Sequence, residues 1–141
     1  MAKESGIAWT SMSIDDSGGT QRDIRNDITN FEFATPRAVQ DTTGINVSAM
    51  ERLLLLADFS ATWKGVFNDD SNMSHDVFKT VPSTSVAREI LLVVSGQRLG
   101  TTSQITVLLT DYALSRAASG ELTWSVPGVL ANGVVPTWDT V

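Results

Sequence analysis

The sequence predicts a mainly β fold, and three observations carry that prediction. Leu122, Trp124 and Val126 alternate with polar residues, as a strand with one wetted face requires. The segment 89–99 is rich in β-branched and apolar residues on both faces, which is typical of a buried strand. Turn residues such as glycine, serine and aspartate separate the apolar segments, so consecutive strands are expected to form hairpins. A length of 141 residues fits one domain, and we expect residues 1–141 to form a single unit.

Strands are expected along most of the chain, in the order of a meander. The turn "DDSGG" joins the first two strands, and "SRAASGE" leads into the last. Trp63 is expected to share one face of its strand with Ala61 and Phe67. The predicted strands are 9–14, 21–34, 60–67, 88–98, 103–114 and 121–126.

Two stretches follow helical spacing instead. Ser48 and Glu51 match a capping box, in which each side chain satisfies the other residue's backbone N–H, and this favours a helix over 48–57. A polar cap within 70–72 predicts a second short helix that ends before Pro82. We therefore expect two short helices beside the strands.

Composition excludes several classes of function. Ten basic and sixteen acidic residues give a formal net charge of −6, which argues against a protein that binds nucleic acid by neutralising phosphates. The chain has no cysteine, so it has no disulfide or thiolate chemistry. Apolar runs are much shorter than the roughly 20 residues of a membrane-spanning helix. The start, "MAKESGIAWTSMS", lacks the apolar segment of a signal peptide, and we expect a soluble protein made in a cytoplasm.

The segment 66–79, "VFNDDSNMSHDVFK", holds the only histidine, His75, next to three aspartates. An EF-hand would need glycine where Met73 stands and glutamate where Lys79 stands. One histidine supplies too few ligands for an ordinary transition-metal site, and no serine lies in a nucleophile motif. The favoured interpretation is a turn entering a helix. We predict no metal, no cofactor and no catalytic residue, and we expect a protein that is not an enzyme.

Four tryptophans leave one alternative open. Aromatic side chains can stack on sugars, but large aromatics in strands more often fill a core or an interface. The tryptophans are Trp9, Trp63, Trp124 and Trp138, and three of them lie in or beside predicted strands. Core or interface is the favoured interpretation, and a carbohydrate- or receptor-binding β-sandwich module of a virion is the alternative.

The order of short phrases along residues 7–140 resembles a known family. The phrases are "RDIRNDITNFEFATPRAVQDTTGINVSAMERLLLLADFSATWKGVFND", then "SHDVF", "VPSTSVAR", "LTDYALSRAASGELTWSVPGVLANG" and "PTW". Together they resemble the major tail proteins, or tail tube proteins, of long-tailed non-contractile bacteriophages (siphophages). More closely, the sequence looks like the tail tube proteins of actinobacterial siphophages.

The resemblance implies a two-sheet β-sandwich of the tail-tube type, with one or two short α-helices on its flank. It also implies that six chains form a ring, that rings stack, and that one sheet of each chain joins an inner β-barrel. The genome and the tape-measure protein would pass through this channel, and terminator and tip proteins would bind the ends of the tube. We therefore expect a structural subunit of the virion tail, assembled in the host cytoplasm, with no membrane partner.

Charged residues are assigned within this expected ring. Basic residues on the wall of the channel would release counterions from DNA and hold it, so the wall should carry acids. The candidate lumen-facing acids are Asp23, Asp27, Glu32, Glu89, Asp111 and Glu121. The candidate contacts between subunits or rings are Arg22, Arg25, Pro36, Arg37, Arg88, Arg98 and Arg116.

Two further segments are candidates for contacts between rings. The link 34–46 is too long for a simple hairpin turn. The N-terminal segment, about 1–7, is expected to be mobile.

Overall fold

A computed structural model describes residues 3–100 and 105–141 of the chain. Strands dominate the described residues, and helical structure is limited to the five-residue helix α1 (Ser74–Phe78) and two 3-10 turns, Gly6–Ala8 and Arg25–Asp27. The strands are β1 (Trp9–Asp15), β2 (Gln21–Asp23), β3 (Ile28–Ala34), β4 (Arg37–Asp41), β5 (Arg52–Ala57), β6 (Ser60–Val66), β7 (Arg88–Val94), β8 (Gln97–Leu99), β9 (Ile105–Leu109), β10 (Ala113–Arg116), β11 (Leu122–Leu130) and β12 (Trp138–Thr140). The predicted mainly β class is confirmed.

Ten of the strands form one antiparallel sheet that folds over itself into two layers. The first layer has the order β3–β6–β11–β10, and the second contains β1, β2, β7, β8 and β12. Strand β9 pairs with both β11 and β7, so it carries the sheet from one layer into the other. The two layers therefore form a sandwich that is continuous along one side.

Aromatic and branched side chains fill the space between the layers. Trp63 and Trp124, on neighbouring strands, are 0% and 2% exposed. Trp9 on β1 meets Phe31 on β3 edge to face, with 5.5 Å between ring centroids, so the layers are in direct contact. Alternation explains this core, because every second residue of a strand points the same way. The other buried apolar residues are Met12, Ile14, Ile24, Phe59, Ala61, Val77, Phe78, Ile90, Leu92, Leu99, Ile105, Val107 and Val126.

Helix α1 is fixed by residues distant in sequence. The N–H of Ser74 donates to the Asp27 carboxylate at 3.0 Å, and the Asn68 amide donates to the other oxygen at 3.0 Å. Phe78 packs on Trp124 with 5.1 Å between ring centroids. The second predicted helix exists, but it is shorter than expected, and its first turn is capped by Asp27 and not by a residue within 70–72.

The helix predicted over 48–57 is wrong. Residues Arg52–Ala57 form strand β5, which pairs with β4 in a separate two-stranded sheet. The capping box does not form, because the Glu51 N–H donates to the Thr43 hydroxyl at 2.8 Å. Strand β4 lies inside the link predicted at 34–46, so this link is one side of a hairpin and not an irregular loop.

The other strand predictions hold with changed bounds. The predicted strand 21–34 is interrupted by the Arg25–Asp27 turn, where the Asp23 carboxylate accepts from the Arg25 N–H at 3.1 Å. The predicted pairing of 88–98 with 103–114 is present as β7 with β9, but β8 turns back on β7 first. Residues 103 and 104 of that prediction lie outside the described residues, as do residues 1 and 2 of the N-terminal segment.

Gly65 sets the distance between β6 and the Asp27 segment, and this gives a first prediction. A Cβ at Gly65 would lie 2.0 Å from the Asp27 carbonyl oxygen and 2.6 Å from the Trp124 ring. Gly65→Ala should therefore destabilise the fold by about 1 to 3 kcal/mol or more, since neither neighbour is a flexible chain end. Thermal unfolding followed by circular dichroism measures it. Gly6→Ala is the control, because nothing lies within 4 Å of a Cβ there; equal melting temperatures for the two variants would contradict the packing described.

Candidate assembly surfaces

A two-stranded arm, residues 37–57, lies outside the ten-stranded sheet. Its strands are held by backbone pairing and by Arg37, whose guanidinium donates to the Leu55 carbonyl at 2.8 and 3.1 Å. At the far end of the arm, Thr42 N–H donates to the Glu51 carbonyl at 2.9 Å. At its base, the Asp58 N–H donates to the Pro36 carbonyl at 3.0 Å. The arm is thus a closed hairpin attached at one point.

The arm is apolar and exposed. Val39, Leu53 and Leu54 are each more than half exposed, at 51%, 53% and 56%, and Leu56 is 88% exposed. A lone two-stranded hairpin is marginally stable in water, and a contiguous exposed apolar patch marks an interaction site. The arm therefore has the properties of a segment that is covered by another molecule. The run "LLLL" was the signal in the sequence, but its four leucines fit a helix equally well, so the arm was missed.

The first layer has two free edges. Among the described residues, β3 pairs only with β6, and β10 pairs only with β11. Each strand of the order β3–β6–β11–β10 is antiparallel to its neighbour, so β10 runs opposite to β3. A second copy of β3 placed beside β10 would continue the antiparallel alternation. Unpaired strand edges readily accept a strand from another chain.

The outer face of this layer carries small polar side chains together with Val66, Pro127 and Val129. Trp63 and Trp124 point into the core, so the residues that alternate with them along β6 and β11 point outward, and cross-strand pairs put these on one surface. Glu32 and Lys64 are the charged residues that the pairing places on it. We call this surface the hydroxyl face; its hydroxyl-bearing residues are Ser60, Thr62, Ser115, Thr123 and Ser125.

The predicted lumen-facing acids do not lie on one surface. Glu32 is on the hydroxyl face, and Glu89 is exposed on β7 of the other layer. Asp27 is only 2% exposed and caps α1, so the prediction that it lines a wet surface is wrong. Asp23, Asp111 and Glu121 are exposed at strand ends or in turns.

Arg88 is buried in the chain, so its prediction as a subunit contact is also wrong. It is 2% exposed, and its guanidinium donates to the carbonyls of Asp15 and Val77 and to the Thr80 hydroxyl. Burial lowers the pKa of Arg88, and the nearby carboxylates of Asp16 and Asp15 oppose that change. The residue joins β7 to the end of α1 and has a structural role.

The remaining predicted contact residues stay at or near the surface. Arg22 pairs with Asp16 at 3.2 Å, and Arg98 pairs with Asp139 at 3.4 Å. Arg25 pairs with Asp23 and also donates to the Trp9 carbonyl, both at 3.1 Å. Pro36 and Arg37 are exposed at the base of the arm, and Arg116 is exposed on β10. Their role between subunits remains a prediction.

His75 lies in α1, as the interpretation of a turn entering a helix required. Its Nδ1 is 3.1 Å from the Tyr112 hydroxyl, and its ring is 4.7 Å from that of Phe67. Burial raises the pKa of Tyr112. Within residues 3–100 and 105–141, no group of three or more histidine, cysteine, aspartate or glutamate side chains could hold a metal ion. The residue is a half-buried packing contact.

Comparisons with known proteins identify solved structures that share the fold of this chain. No family model matches the chain, and no curated protein matches it in sequence. One similar solved structure is a chain from the tail of an empty gene transfer agent (GTA) particle with C6 symmetry, at TM-score 0.75 and 14% identity over 99% of both chains. Another is a chain from the virion of a native GTA particle, at TM-score 0.73 and 13% identity over 99% of both chains. The chain thus shares its fold, over 99% of its length, with components of GTA particles. No helix in the described part of the chain is long and apolar enough to cross a membrane.

Asp15 and Asp16 lead to a prediction about pH, because the pKa of Asp15 is raised and the pKa of Asp16 is lowered. Burial raises the pKa of Asp15, with the Glu89 N–H opposing and the charges of Glu89 and Asp16 adding to the rise. For Asp16, burial is outweighed by hydrogen bonds from the Thr20 N–H, the Arg22 side chain and the Gly18 N–H, which together lower its pKa.

Because the pKa of Asp15 is raised in the folded chain, Asp15 contributes stability at low pH, and this contribution is lost as pH rises above the ordinary aspartate pKa of 3.8. A lowered pKa means that Asp16 contributes stability above 3.8 and loses it as pH falls. The melting temperature of Asp15→Asn should therefore gain on the parent as pH rises from about 3 to 7, and that of Asp16→Asn should fall behind it. The same trend in both variants would contradict the assignment.

Proposed function

We propose that this chain is the structural subunit of a tail tube, in a siphophage or a similar tailed particle. Six copies form a ring, and rings stack into a channel that conducts double-stranded DNA into the host. Its further partners are the tape-measure protein inside the tube and the terminator and tip proteins at its ends. The chain works in the virion tail after assembly in the host cytoplasm, and its role is structural and not catalytic.

The observation that carries this proposal is the shared fold with a chain from a GTA tail that has C6 symmetry. The likeness extends over 99% of both chains, so the arm and the edges belong to the compared length. Two features of the molecule itself support repeated assembly. The first layer ends in free edges on both sides, and the arm exposes apolar side chains that its own chain does not cover.

Ring closure follows from the free edges. Strand β10 of one copy pairs with β3 of the next, which keeps the antiparallel order because the layer has four alternating strands. This contact is heterologous, and a heterologous contact forms a ring when its rotation closes. Closure into a barrel also removes the exposed edges of the first layer, which otherwise template aggregation.

The hydroxyl face then forms the wall of the channel. Its charged pair, Glu32 and Lys64, is balanced, and hydroxyl groups interact with water without neutralising phosphates. A wall of this kind releases few counterions from DNA, so DNA gains little affinity for it. Of the predicted lumen acids, Glu32 is the one that this arrangement places on the wall, and the formal charge of −6 per chain lies mainly elsewhere.

The carbohydrate- or receptor-binding alternative requires exposed tryptophans. Trp63 and Trp124 are buried in the core, and Trp9 packs against Phe31. Trp138 is 52% exposed but lies 6.2 Å from Phe33, between ring centroids. One partly covered tryptophan makes a poor stacking platform, so the tube is the better-supported function.

Removal of the arm tests whether assembly depends on it. An Asn-Gly dipeptide replacing residues 37–57 would form a two-residue turn, because Asp58 N–H already donates to the Pro36 carbonyl as such a turn requires. The body should keep its melting temperature within a few degrees, since the core contains no residue of the arm. Negative-stain microscopy should show tubes of uniform width for the parent and none for the variant. A parent that forms neither rings nor tubes would contradict the proposed function.

Introduced thiols test which face lines the channel, and the absence of native cysteine makes each one unique. Thr62→Cys, on the hydroxyl face, should react with a large polymer-linked maleimide in the unassembled chain and be protected in tubes. Glu89→Cys, exposed on the other layer, is the control and should react in both states. The yield is read as a mass shift on a denaturing gel. Protection of position 89 with free reaction at 62 would assign the channel to the other layer.

A further inference from the structure

The link between β11 and β12, residues 131–137, contains the one Asn-Gly dipeptide of the sequence, formed by Asn132 and Gly133. Both residues are exposed, and residues 131–137, all within the described range, form no helix or strand. An asparagine side chain reacts most readily with its own backbone when glycine follows, because glycine has no Cβ to hinder the attacking nitrogen. The other asparagines precede aspartate, phenylalanine, valine or methionine. Asn132 is therefore the asparagine that faces the least hindered backbone nitrogen.

The backbone around Asn132 is arranged for this reaction. The Val134 N–H donates to Oδ1 of the Asn132 side chain at 3.2 Å. This hydrogen bond turns the side chain back along its own backbone, so the Gly133 nitrogen belongs to the small ring that the bond closes. A Cβ placed on Gly133 would meet no described atom within 4 Å, and its φ of +71° is one that residues with a Cβ rarely adopt. The turn thus keeps the side-chain amide beside an unhindered nitrogen.

We propose that Asn132 is a self-modification site, converted to aspartate and isoaspartate through a succinimide formed with the Gly133 nitrogen. The Gly133 N–H loses its proton to hydroxide, and the nitrogen forms a bond to Cγ of Asn132. Negative charge develops on Oδ1, and the Val134 N–H stabilises this charge because the donor is already in place. The C–N bond of the side-chain amide then breaks, and its nitrogen takes a proton from water and leaves as ammonia. Water opens the ring at either carbonyl, which gives aspartate or isoaspartate.

Asn68 provides a matched comparison within the same chain. Its Oδ1 accepts from the Asp70 N–H at 3.0 Å, which is the same turn as at Asn132. Its amide nitrogen, however, donates to the Asp27 carboxylate at 3.0 Å. The attacking nitrogen would belong to Asp69, which has a Cβ. Asn68 therefore has the turn but also a retained amide and a hindered nitrogen, and it should react slowly.

The modification changes the link in two ways. Either product adds one negative charge to a chain with a formal charge of −6. Isoaspartate also adds a methylene to the main chain of a link whose ends are fixed by backbone hydrogen bonds to Thr106 and Gly100. The added length lies next to β12, which is held to β8 by three residue pairs. Because no step within the chain reverses the reaction, the modified fraction rises with the age of the molecule.

Timed peptide mapping of the purified chain tests the proposal. The folded, unassembled chain is held at mildly alkaline pH, and mass spectrometry follows each asparagine, with isoaspartate labelled by an isoaspartyl methyltransferase. Conversion should be roughly tenfold faster or more at Asn132 than at Asn68. Asn132→Gln should remove most of the isoaspartate label, because glutamine would have to form a larger ring. Equal rates at Asn132 and Asn68, or no conversion at Asn132, would overturn the proposal.

A comparison with the unfolded chain tests the part played by the Val134 N–H. The same mapping is repeated in guanidinium chloride, where the turn is lost and the amide of Asn68 is released from Asp27. The folded chain should convert Asn132 at least as fast as the unfolded chain, whereas folding should slow conversion at Asn68. Much slower conversion of Asn132 in the folded chain would overturn the assignment, since the turn would then protect the amide. Neither measurement involves assembly into a tube, so both outcomes are independent of the proposed function.

Discussion

The fold depends on the packing of Trp63 and Trp124 between the two layers. These side chains lie on adjacent strands, β6 and β11, and both are buried. The Trp124 indole N–H donates to the Val66 carbonyl at 2.7 Å, which fixes the ring against the end of β6. Gly65 lets the Asp27 segment approach that ring, and Phe78 of α1 covers its other side. The helix and the 3-10 turn are thus positioned against Trp124, which lies beside Trp63 in the core of the first layer.

Patterns that depend on neighbours in sequence could be predicted, and patterns that depend on distant partners could not. Alternation identified β6 and β11, because an exposed face and a buried face leave a period of two. The cap of α1 could not be found, since Asp27 lies 47 residues away from Ser74. The burial of Arg88 could not be predicted either, because a lone arginine in a strand is usually solvated. Its acceptors include the backbone carbonyls of Asp15 and Val77, which leave no pattern in the sequence.

The wrong helix prediction at 48–57 also arose because the strand depends on a partner outside the segment. Four leucines in a row satisfy helical spacing and strand spacing alike, and local propensity favours a helix. The strand forms because β4 supplies a pairing partner across the arm. For the candidate site, the sequence indicated 34–46 as a candidate for contacts between rings, which stays a prediction, and it did not indicate the hairpin that β4 forms with β5. A surface that is completed only by another molecule leaves an ambiguous pattern in one chain.

The body and the arm therefore differ in what they cover, and this division suits the proposed tube subunit, which has to avoid aggregation before it assembles. The body buries its large aromatics internally and places neutral hydroxyl groups on the outer face of the first layer. In the described part of the chain, unpaired strand edges lie at the two sides of that layer, and exposed leucines lie on the arm. In the proposed tube, strand edges join copies around a ring through hydrogen bonds, and the apolar side chains of the arm join copies through burial of surface. Because these two proposed contacts differ in chemistry, substitutions that strengthen or weaken lateral closure should leave stacking unchanged, and substitutions that affect stacking should leave lateral closure unchanged.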